Sequence, residues 1–375
     1  MISNGLECNI AHVCCQRNRS NDKHGKYLPF SLYNGFMKIS DIGEIKLIEH
    51  LLEIARKSGV EFTTEELLIG PGDDASVWRG KDGLTISTTD TLVESTHFTK
   101  NTISWHDLGW KAMAVNLSDI AAMGGIPLYA LITLGLLPNT PLKDIECLYT
   151  GLSEICHTYG VAIAGGDIVA SPTTFITISL TGKTYKTPLV RSKAHIGDLI
   201  AVTGPLGASS AGLRLLEGGQ TQTIGSSYED LYRAHQKPVP ELKNGQILLK
   251  HGVQAAMDIS DGLAHDLSTL MKSSMCSAKV DVSKIPIHHL VSSHFQSNAL
   301  QLALSGGEDY RLLYTASESV MQNVLSKIPT ATVIGEVVNG PMGQVSLIDK
   351  EGNSIKVKYT SWEHFKKRGV NSEYS

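Results

Sequence analysis

The chain has 375 residues, of which 42% are apolar, 6% aromatic and 19% charged, and this length and composition are typical of two or three globular domains. It carries 33 basic and 37 acidic residues, a formal net charge of −4, so no overall positive field favours binding to nucleic acid or to an anionic membrane. Six cysteines are too few for a disulfide-stabilised scaffold of this length. We therefore expect a cytoplasmic protein with no nucleic-acid partner and no membrane partner.

The N-terminal segment differs in character from the rest of the chain. It lacks the basic region and the continuous apolar run of a signal peptide. The first helical pattern begins only after Met37, where Asp41 and Glu44 form a capping pair and Gly59 ends the helix. We therefore predict that residues 1–36 form a disordered extension.

The elements that follow alternate between short apolar strands and amphipathic helices, which indicates an α/β or α+β fold. In the first half, strands are predicted at 84–89, 128–134, 161–164 and 175–180, and helices at 105–123 and 142–159. An uncharged run at 120–137 approaches the length of a membrane span, but Gly124-Gly125-Ile126-Pro127 interrupts it. We therefore predict a helix end, a turn and a buried strand there.

The chain divides near Thr187. A turn and a new apolar strand at 197–204 open a second unit. Further on, the pattern predicts helices at 208–216 and from Ser260, a polar loop at 218–227, and strands near positions 312 and 333. We therefore predict an N-terminal domain at 37–186 and a C-terminal domain at 187–370.

The acidic residues occupy unusual positions. Asp119 is the only charged residue in the segment 112–142, and it lies on the apolar face of a predicted helix. Asp167 is the only charged residue in the segment 158–182 and directly follows an apolar strand and two glycines. An unpaired buried carboxylate is costly, so such residues need a cation or a hydrogen-bond donor as a partner.

Three further clusters also place acidic residues beside turns or at the ends of predicted elements. They are Gly72-Asp73-Asp74, Ser87-Thr88-Thr89-Asp90 and Asp258-Ile259-Ser260-Asp261-Gly262. Each cluster alone is also typical of a turn or a helix N-cap. Together they offer hard oxygen ligands, which suit Mg²⁺ rather than zinc. Because few lysines or arginines accompany the acids, the pattern favours phosphoryl transfer in which metal ions neutralise the phosphates.

These segments resemble the thiamine-monophosphate kinase family, within the wider AIR synthetase-like (PurM-like) superfamily. The resemblance runs from about Asp41 to Phe365. The motifs that carry it are, in chain order, Gly72-Asp73-Asp74-Ala75, Thr88-Thr89-Asp90-Thr91-Leu92-Val93-Glu94, His97-Phe98, Asn116-Leu117-Ser118-Asp119-Ile120-Ala121-Ala122-Met123-Gly124, Gly165-Gly166-Asp167, Asp258-Ile259-Ser260-Asp261-Gly262-Leu263, Ser305-Gly306-Gly307-Glu308-Asp309-Tyr310 and Ser361-Trp362-Glu363-His364-Phe365.

The resemblance implies a two-domain AIR synthetase-like fold, α/β to α+β, and a homodimer in which the N-terminal sheets form a barrel. It also implies a reaction in which ATP and thiamine monophosphate give ADP and thiamine diphosphate, with several Mg²⁺ ions and direct in-line transfer.

Roles for individual residues also follow from the resemblance. The implied Mg²⁺ ligands are Asp74, Thr88, Thr89, Asp90, Asp119, Asp167, Asp258 and Asp261, of which Asp74, Asp90, Asp119 and Asp261 are the predicted catalytic residues. The implied ATP-binding residues are Gly166, Asp167, Arg191 and Ser260. The implied thiamine-binding residues are His97, Glu308 and Trp362.

Two alternatives remain open at this stage. Another AIR synthetase-like enzyme, of the selenophosphate synthetase or hydrogenase-maturation type, would need a reactive cysteine near a glycine-rich N-terminal segment or at the C-terminus. This chain has Cys8, Cys14 and Cys15 outside such a setting, and it ends in Asn371-Ser372-Glu373-Tyr374-Ser375. A catalytically silent nucleotide or thiamine-phosphate binding protein is the other alternative.

Overall fold

The structure, a computed structural model, describes residues 44–57, 64–81, 83–218 and 228–355. The first helix, α1, spans Glu44–Lys57, inside the predicted helical segment. The predicted extension 1–36, Trp362 and nearly all of the predicted loop 218–227 lie outside the described residues.

The first sheet has six strands in the order β1-β2-β3-β6-β4-β5. Neighbouring strands are antiparallel except β4 and β5, which are parallel and are joined by helix α3. Its elements and the helices inserted in it are β1 Leu67–Ile69, β2 Ser76–Gly80, β3 Gly83–Val93, α2 Trp105–Ala122, β4 Ile126–Leu136, α3 Leu142–Tyr159, β5 Ala162–Ala170 and β6 Phe175–Thr184. The predicted helices at 105–123 and 142–159 are thus confirmed.

Helices α2 and α3 cover one face of this sheet and touch each other through glycines. A Cβ added at Gly109 would come to 2.0 Å from the carbonyl oxygen of Leu148, and one added at Gly151 to 1.8 Å from that of His106. Only glycine allows the two backbones to approach this closely. Ser104 caps α2, because its side chain accepts a hydrogen bond from the backbone N–H of Asp107.

The other face of the first sheet is open. In β4 the even-numbered residues from Ala130 to Leu134 are buried, whereas Tyr129 and Leu131 on the opposite face are 55% and 53% exposed. The neighbouring edge strand β5 is exposed along its whole length. The strand predicted after the Gly-Gly-Ile-Pro turn is therefore confirmed, but it is buried on one face only, because helices cover only one face of the sheet.

The second sheet also has six strands, in the order β12-β9-β11-β7-β10-β8. Its pairs are antiparallel except β9 with β12. Its elements are β7 Leu199–Val202, α4 Ala208–Glu217, α5 Glu229–Gln236, α6 Leu242–Lys250, β8 Ala255–Asp258, α7 Leu263–Ser273, β9 Ser277–Asp281, α8 His289–Phe295, α9 Ala299–Ser305, β10 Leu312–Ala316, α10 Glu318–Leu325, β11 Thr332–Val338 and β12 Val345–Ile348. The predicted strands near 199, 312 and 333 are confirmed, and the helix predicted from Ser260 begins at Leu263.

Helix α2 connects the two sheets. One hydrophobic cluster contains Leu117 and Ile120 of α2 together with Leu312 and Tyr314 of β10. The helix therefore presents side chains to strands of both sheets. No helix in the described ranges combines the length and the apolar character needed to span a membrane.

Candidate active site

Three carboxylates from three separate elements meet beside α2. Asp74 comes from the turn before β2, Asp119 from α2 and Asp258 from the end of β8, and one oxygen of each lies within 4.8 Å of the others. Thr88 Oγ1 on β3 donates a hydrogen bond to Asp119 Oδ2 at 2.5 Å. Ser118 Oγ donates to Asp258 Oδ2 at 2.6 Å. Ser118 thus contacts the second sheet, and its neighbour Asp119 contacts the first sheet.

Asp90 extends this cluster along β3. Its carboxyl is hydrogen-bonded to that of Asp119. Burial, followed by the charges of Asp90, Asp258 and Asp74, raises the pKa of Asp119 well above its ordinary value. Burial and then the charge of Asp74 raise the pKa of Asp258 to about 7. The carboxyl groups repel one another, so the cluster favours bound cations.

Arg191 is the cation that contacts this cluster among the described residues. Its Nη2 lies 2.5 Å from Asp74 Oδ1 and its Nε lies 3.3 Å from Asp74 Oδ2. Its backbone N–H donates to Asp73 Oδ1 at 3.0 Å. Burial and the neighbouring charge of Asp74 raise the pKa of Asp73 to about 6. One guanidinium does not balance the charge of five carboxyl groups, those of Asp73, Asp74, Asp90, Asp119 and Asp258. Because these groups offer only hard oxygen ligands, the cluster fits Mg²⁺.

The loop after β8 has a buried carboxylate beneath it. Asp266, which is 2% exposed, accepts hydrogen bonds at Oδ2 from the backbone N–H groups of Ser260 and Asp261, both at 3.1 Å. Asp261, His265 and Asp266 form a second group whose ligand atoms lie within 4.8 Å. The charge of Asp261 also raises the pKa of Asp90, after burial as the larger cause. Asp266 is not among the residues predicted from the sequence, although an acid in the first turn of the helix after Asp-Gly is a visible signal.

Glu308 lies on a loop that runs beside the Asp258 loop. Its backbone N–H donates to the carbonyl oxygen of Ser260 at 2.7 Å, and the N–H of Tyr310 donates to that of Ile259 at 2.9 Å. Its carboxylate contacts Lys111 Nζ at 2.8 Å and His235 Nδ1 at 3.2 Å. Although burial opposes it, the charge of Lys111 and the hydrogen bond from His235 hold the pKa of Glu308 far below its ordinary value.

The predicted residue His97 lies in the turn that follows β3. Its Nδ1 accepts a hydrogen bond from the backbone N–H of Val93 at 3.0 Å, and its own N–H donates to the Val93 carbonyl oxygen at 2.9 Å. These bonds close a compact turn at the end of the strand that carries Asp90. The predicted contact of His97 with the substrate stays a prediction.

Thr89, Gly166 and Asp167 lie apart from the carboxylate cluster. In the strand register, Asp90 lies in one row across the sheet with Ile178, Ile132 and Gly166. Three strand spacings therefore separate Asp90 from Gly166, which is about 14 Å at roughly 4.8 Å per spacing. Asp167 and Thr89 belong to the neighbouring rows, so their side chains face the open side of the sheet rather than α2. Within one chain, the eight predicted Mg²⁺ ligands are therefore divided between the two faces.

The chain matches two protein families along its length. Residues 72–184 match the family AIR synthase related protein, N-terminal domain, and residues 195–348 match AIR synthase related protein, C-terminal domain. The thiamine-monophosphate kinase of Buchnera aphidicola subsp. Schizaphis graminum is 36% identical over 304 residues, which are 79% of this chain and 92% of that protein. The chain belongs to the thiamine-monophosphate kinase family. The Bacillus subtilis member is 34% identical over 307 residues, 80% of this chain and 94% of its own length.

Solved structures of the family share the fold described above. The structure described as AaThiL complexed with AMPPCP and TMP superposes with a TM-score of 0.76 at 29% identity, over 88% of this chain and 99% of that chain. A hydrogenase maturation protein superposes with a TM-score of 0.61 at 16% identity, over 81% of this chain and 93% of that chain. At that identity the second likeness concerns the fold alone, and the hydrogenase-maturation alternative loses its support.

Proposed function

We propose that this protein transfers the γ-phosphoryl group of ATP to thiamine monophosphate, which gives thiamine diphosphate and ADP. The observation that carries the proposal is the meeting of Asp74, Asp119 and Asp258 from three elements, with their oxygens within 4.8 Å, in a chain of this family. The relatives named above are thiamine-monophosphate kinases, and one solved structure of the family is described as a complex with AMPPCP and TMP.

The carboxylates of the cluster are proposed to hold Mg²⁺ together with Asp261. Bound Mg²⁺ would neutralise phosphate oxygens and stabilise the charge that develops during phosphoryl transfer. Thr88 and Ser118 orient the cluster, because each donates a hydrogen bond to one carboxylate oxygen. Thr89 and Asp167 face the other side of the sheet and lie three strand spacings from each other, so we assign neither of them to the ions of this cluster within one chain.

The remaining predicted residues are proposed to bind the two substrates. Arg191 is held against Asp74, and its planar guanidinium suits phosphate oxygens of ATP. Gly166 and Ser260 are the further proposed ATP contacts. Glu308, with His97 and with Trp362 outside the described residues, is proposed to bind the thiamine part.

The reaction needs no general base and no phosphoenzyme. The second ionisation of a phosphate monoester has a pKa of about 6, so the acceptor oxygen of thiamine monophosphate is largely ionised at neutral pH. The task of the protein is therefore to bring two anionic substrates together in line, which positioning and charge neutralisation accomplish.

The open face of the first sheet supports a homodimer as part of the proposal. Tyr129 and Leu131 are more than half exposed on it, and Ile168 on the edge strand β5 is 66% exposed. Exposed apolar faces and unpaired strand edges mark association surfaces. We propose that two first sheets pair into a barrel, in a cytoplasmic enzyme whose described cysteines are free thiols.

Phosphorus NMR of the purified protein with ATP, Mg²⁺ and thiamine monophosphate tests this function. We expect thiamine diphosphate and ADP to accumulate in equal amounts. ADP with inorganic phosphate and no thiamine diphosphate would contradict the substrate assignment and keep the ATP site. The absence of any reaction would favour the silent binding protein.

A further inference from the structure

A buried lysine lies within the apolar part of α2. Lys111 is 1% exposed, and its Nζ lies 2.8 Å from Glu308 Oε1. Within the described part of the chain no hydrogen bond of good geometry reaches Nζ, so the ion pair with Glu308 is the contact that compensates its charge. A buried ammonium is costly unless it is paired. An aliphatic side chain would fill the same helix position without that cost, so the charge itself has a use.

The second oxygen of the same carboxylate is held from another element. His235 on α5 is 3% exposed, and its Nδ1 lies 3.2 Å from Glu308 Oε2 and 3.2 Å from Ser209 Oγ. Because an ionised carboxylate only accepts hydrogen bonds, Nδ1 carries the proton. Burial and then the charge of Lys111 lower the pKa of His235, whereas the charges of Glu308 and Glu217 oppose this. The histidine is therefore a neutral donor.

The backbone of Glu308 is constrained as well. Its φ of 55° lies in the left-handed region that side chains rarely adopt, and its N–H is bonded to the Ser260 carbonyl oxygen. About 29% of its side chain remains exposed. The carboxylate is thus held in one orientation by two buried side chains, while part of the Glu308 side chain stays accessible to solvent.

We propose that Lys111 and His235 are positioning residues that keep Glu308 ionised and fixed in one orientation for the thiamine part of the substrate. This inference rests on the proposed function. Because Lys111 already balances the charge of Glu308, the carboxylate serves as an oriented acceptor for an N–H donor. The amino group on the pyrimidine ring of thiamine is a donor of this kind.

A double-mutant cycle tests the inference, with wild type, Lys111→Met, Glu308→Gln and the double variant. We expect each single substitution to raise KM for thiamine monophosphate about tenfold or more, the usual effect of losing a hydrogen bond to a charged group. KM for ATP should stay within about twofold of wild type. The double variant should be no worse than Glu308→Gln alone, because Lys111 acts only through Glu308.

His235 offers a matched pair of variants that leave the buried ion pair in place. The side-chain amide of His235→Asn can donate from near the position of Nδ1, whereas His235→Leu cannot. We expect KM for thiamine monophosphate to rise in His235→Leu, and to lie much nearer the wild-type value in His235→Asn. Melting temperatures of all variants are measured alongside, and the His235 pair decides the question if Lys111→Met does not fold.

Four results would overturn the inference. They are an unchanged KM for thiamine monophosphate in Lys111→Met, increases in that KM that multiply in the double variant, KM values for ATP and thiamine monophosphate that rise together, and equal KM values for the Asn and Leu variants at position 235. A wild-type protein that makes no thiamine diphosphate would instead overturn the proposed function and this inference with it. Wild-type turnover with an unchanged KM in Lys111→Met would overturn only the inference.

Discussion

The pKa of Asp258 leads to a prediction about stability. Burial and the charge of Asp74 raise it from 3.8 to about 7, against the opposing effects of Ser118 and Arg191. An acid whose folded pKa lies above its unfolded pKa destabilises the folded state as pH rises between the two values. At about 1.36 kcal/mol per pKa unit, this cost reaches about 4 kcal/mol once the pH exceeds the folded pKa. It applies to the metal-free protein.

The substitution Asp258→Asn removes the charge and keeps an oxygen for the hydrogen bond from Ser118. In excess EDTA at about pH 8, we expect its free energy of unfolding to exceed that of wild type by up to about 4 kcal/mol. At about pH 4 this difference in the free energy of unfolding should disappear, because the Asp258 carboxyl of wild type is then protonated in the folded state. Mg²⁺ should reverse the order at high pH, because it binds and stabilises the folded wild type. The variant should be inactive.

Urea unfolding followed by circular dichroism across this pH range, with EDTA or Mg²⁺, measures the effect. Asp167→Asn is the matched control, because Asp167 is an exposed aspartate outside the cluster. Its free energy of unfolding in EDTA should stay within about 0.5 kcal/mol of wild type. The reasoning is refuted if Asp258→Asn is less stable than wild type in EDTA at high pH, or if metal-free wild type does not lose stability as pH rises.

Three further predictions concern the cluster, the open face and the N-terminal extension. Asp119→Asn should lower turnover at least about a hundredfold with circular dichroism unchanged, because a neutral amide replaces an anionic ligand; near-normal turnover by phosphorus NMR would argue against its metal role. Leu131→Glu should convert the proposed dimer to a monomer in light scattering, because it places a charge on the open face, and an unchanged mass would contradict the proposed barrel. Removal of residues 1–36 should change neither melting temperature nor turnover, and a lower melting temperature would count against this prediction.

Local sequence determined most of the helices and strands. The helix at Leu142–Tyr159 ends at Gly160, which adopts a φ of 70°, because glycine adopts the left-handed conformation at little cost. Strand β5 shows the limit of such reasoning, since the predicted strand at 161–164 continues to Ala170. Hydrogen bonds to β4 hold Gly165 and Gly166 in the strand, whereas local propensity disfavours glycine there. Long-range pairing decides such boundaries.

The sequence by itself also singled out Asp74, Asp119 and Asp258, which the structure brings together, and an isolated carboxylate in an apolar segment such as Asp119 needs a partner. Only the tertiary structure decided which acids meet. Thr88 and Thr89 are neighbours in sequence but face opposite sides of β3, since side chains alternate along a strand. Lys111 looks like an interruption of an apolar helix until the fold brings Glu308 to 2.8 Å from it, across 197 positions of the chain. Local patterns encode burial and chemistry, whereas contacts between distant segments depend on how the two sheets pack around α2.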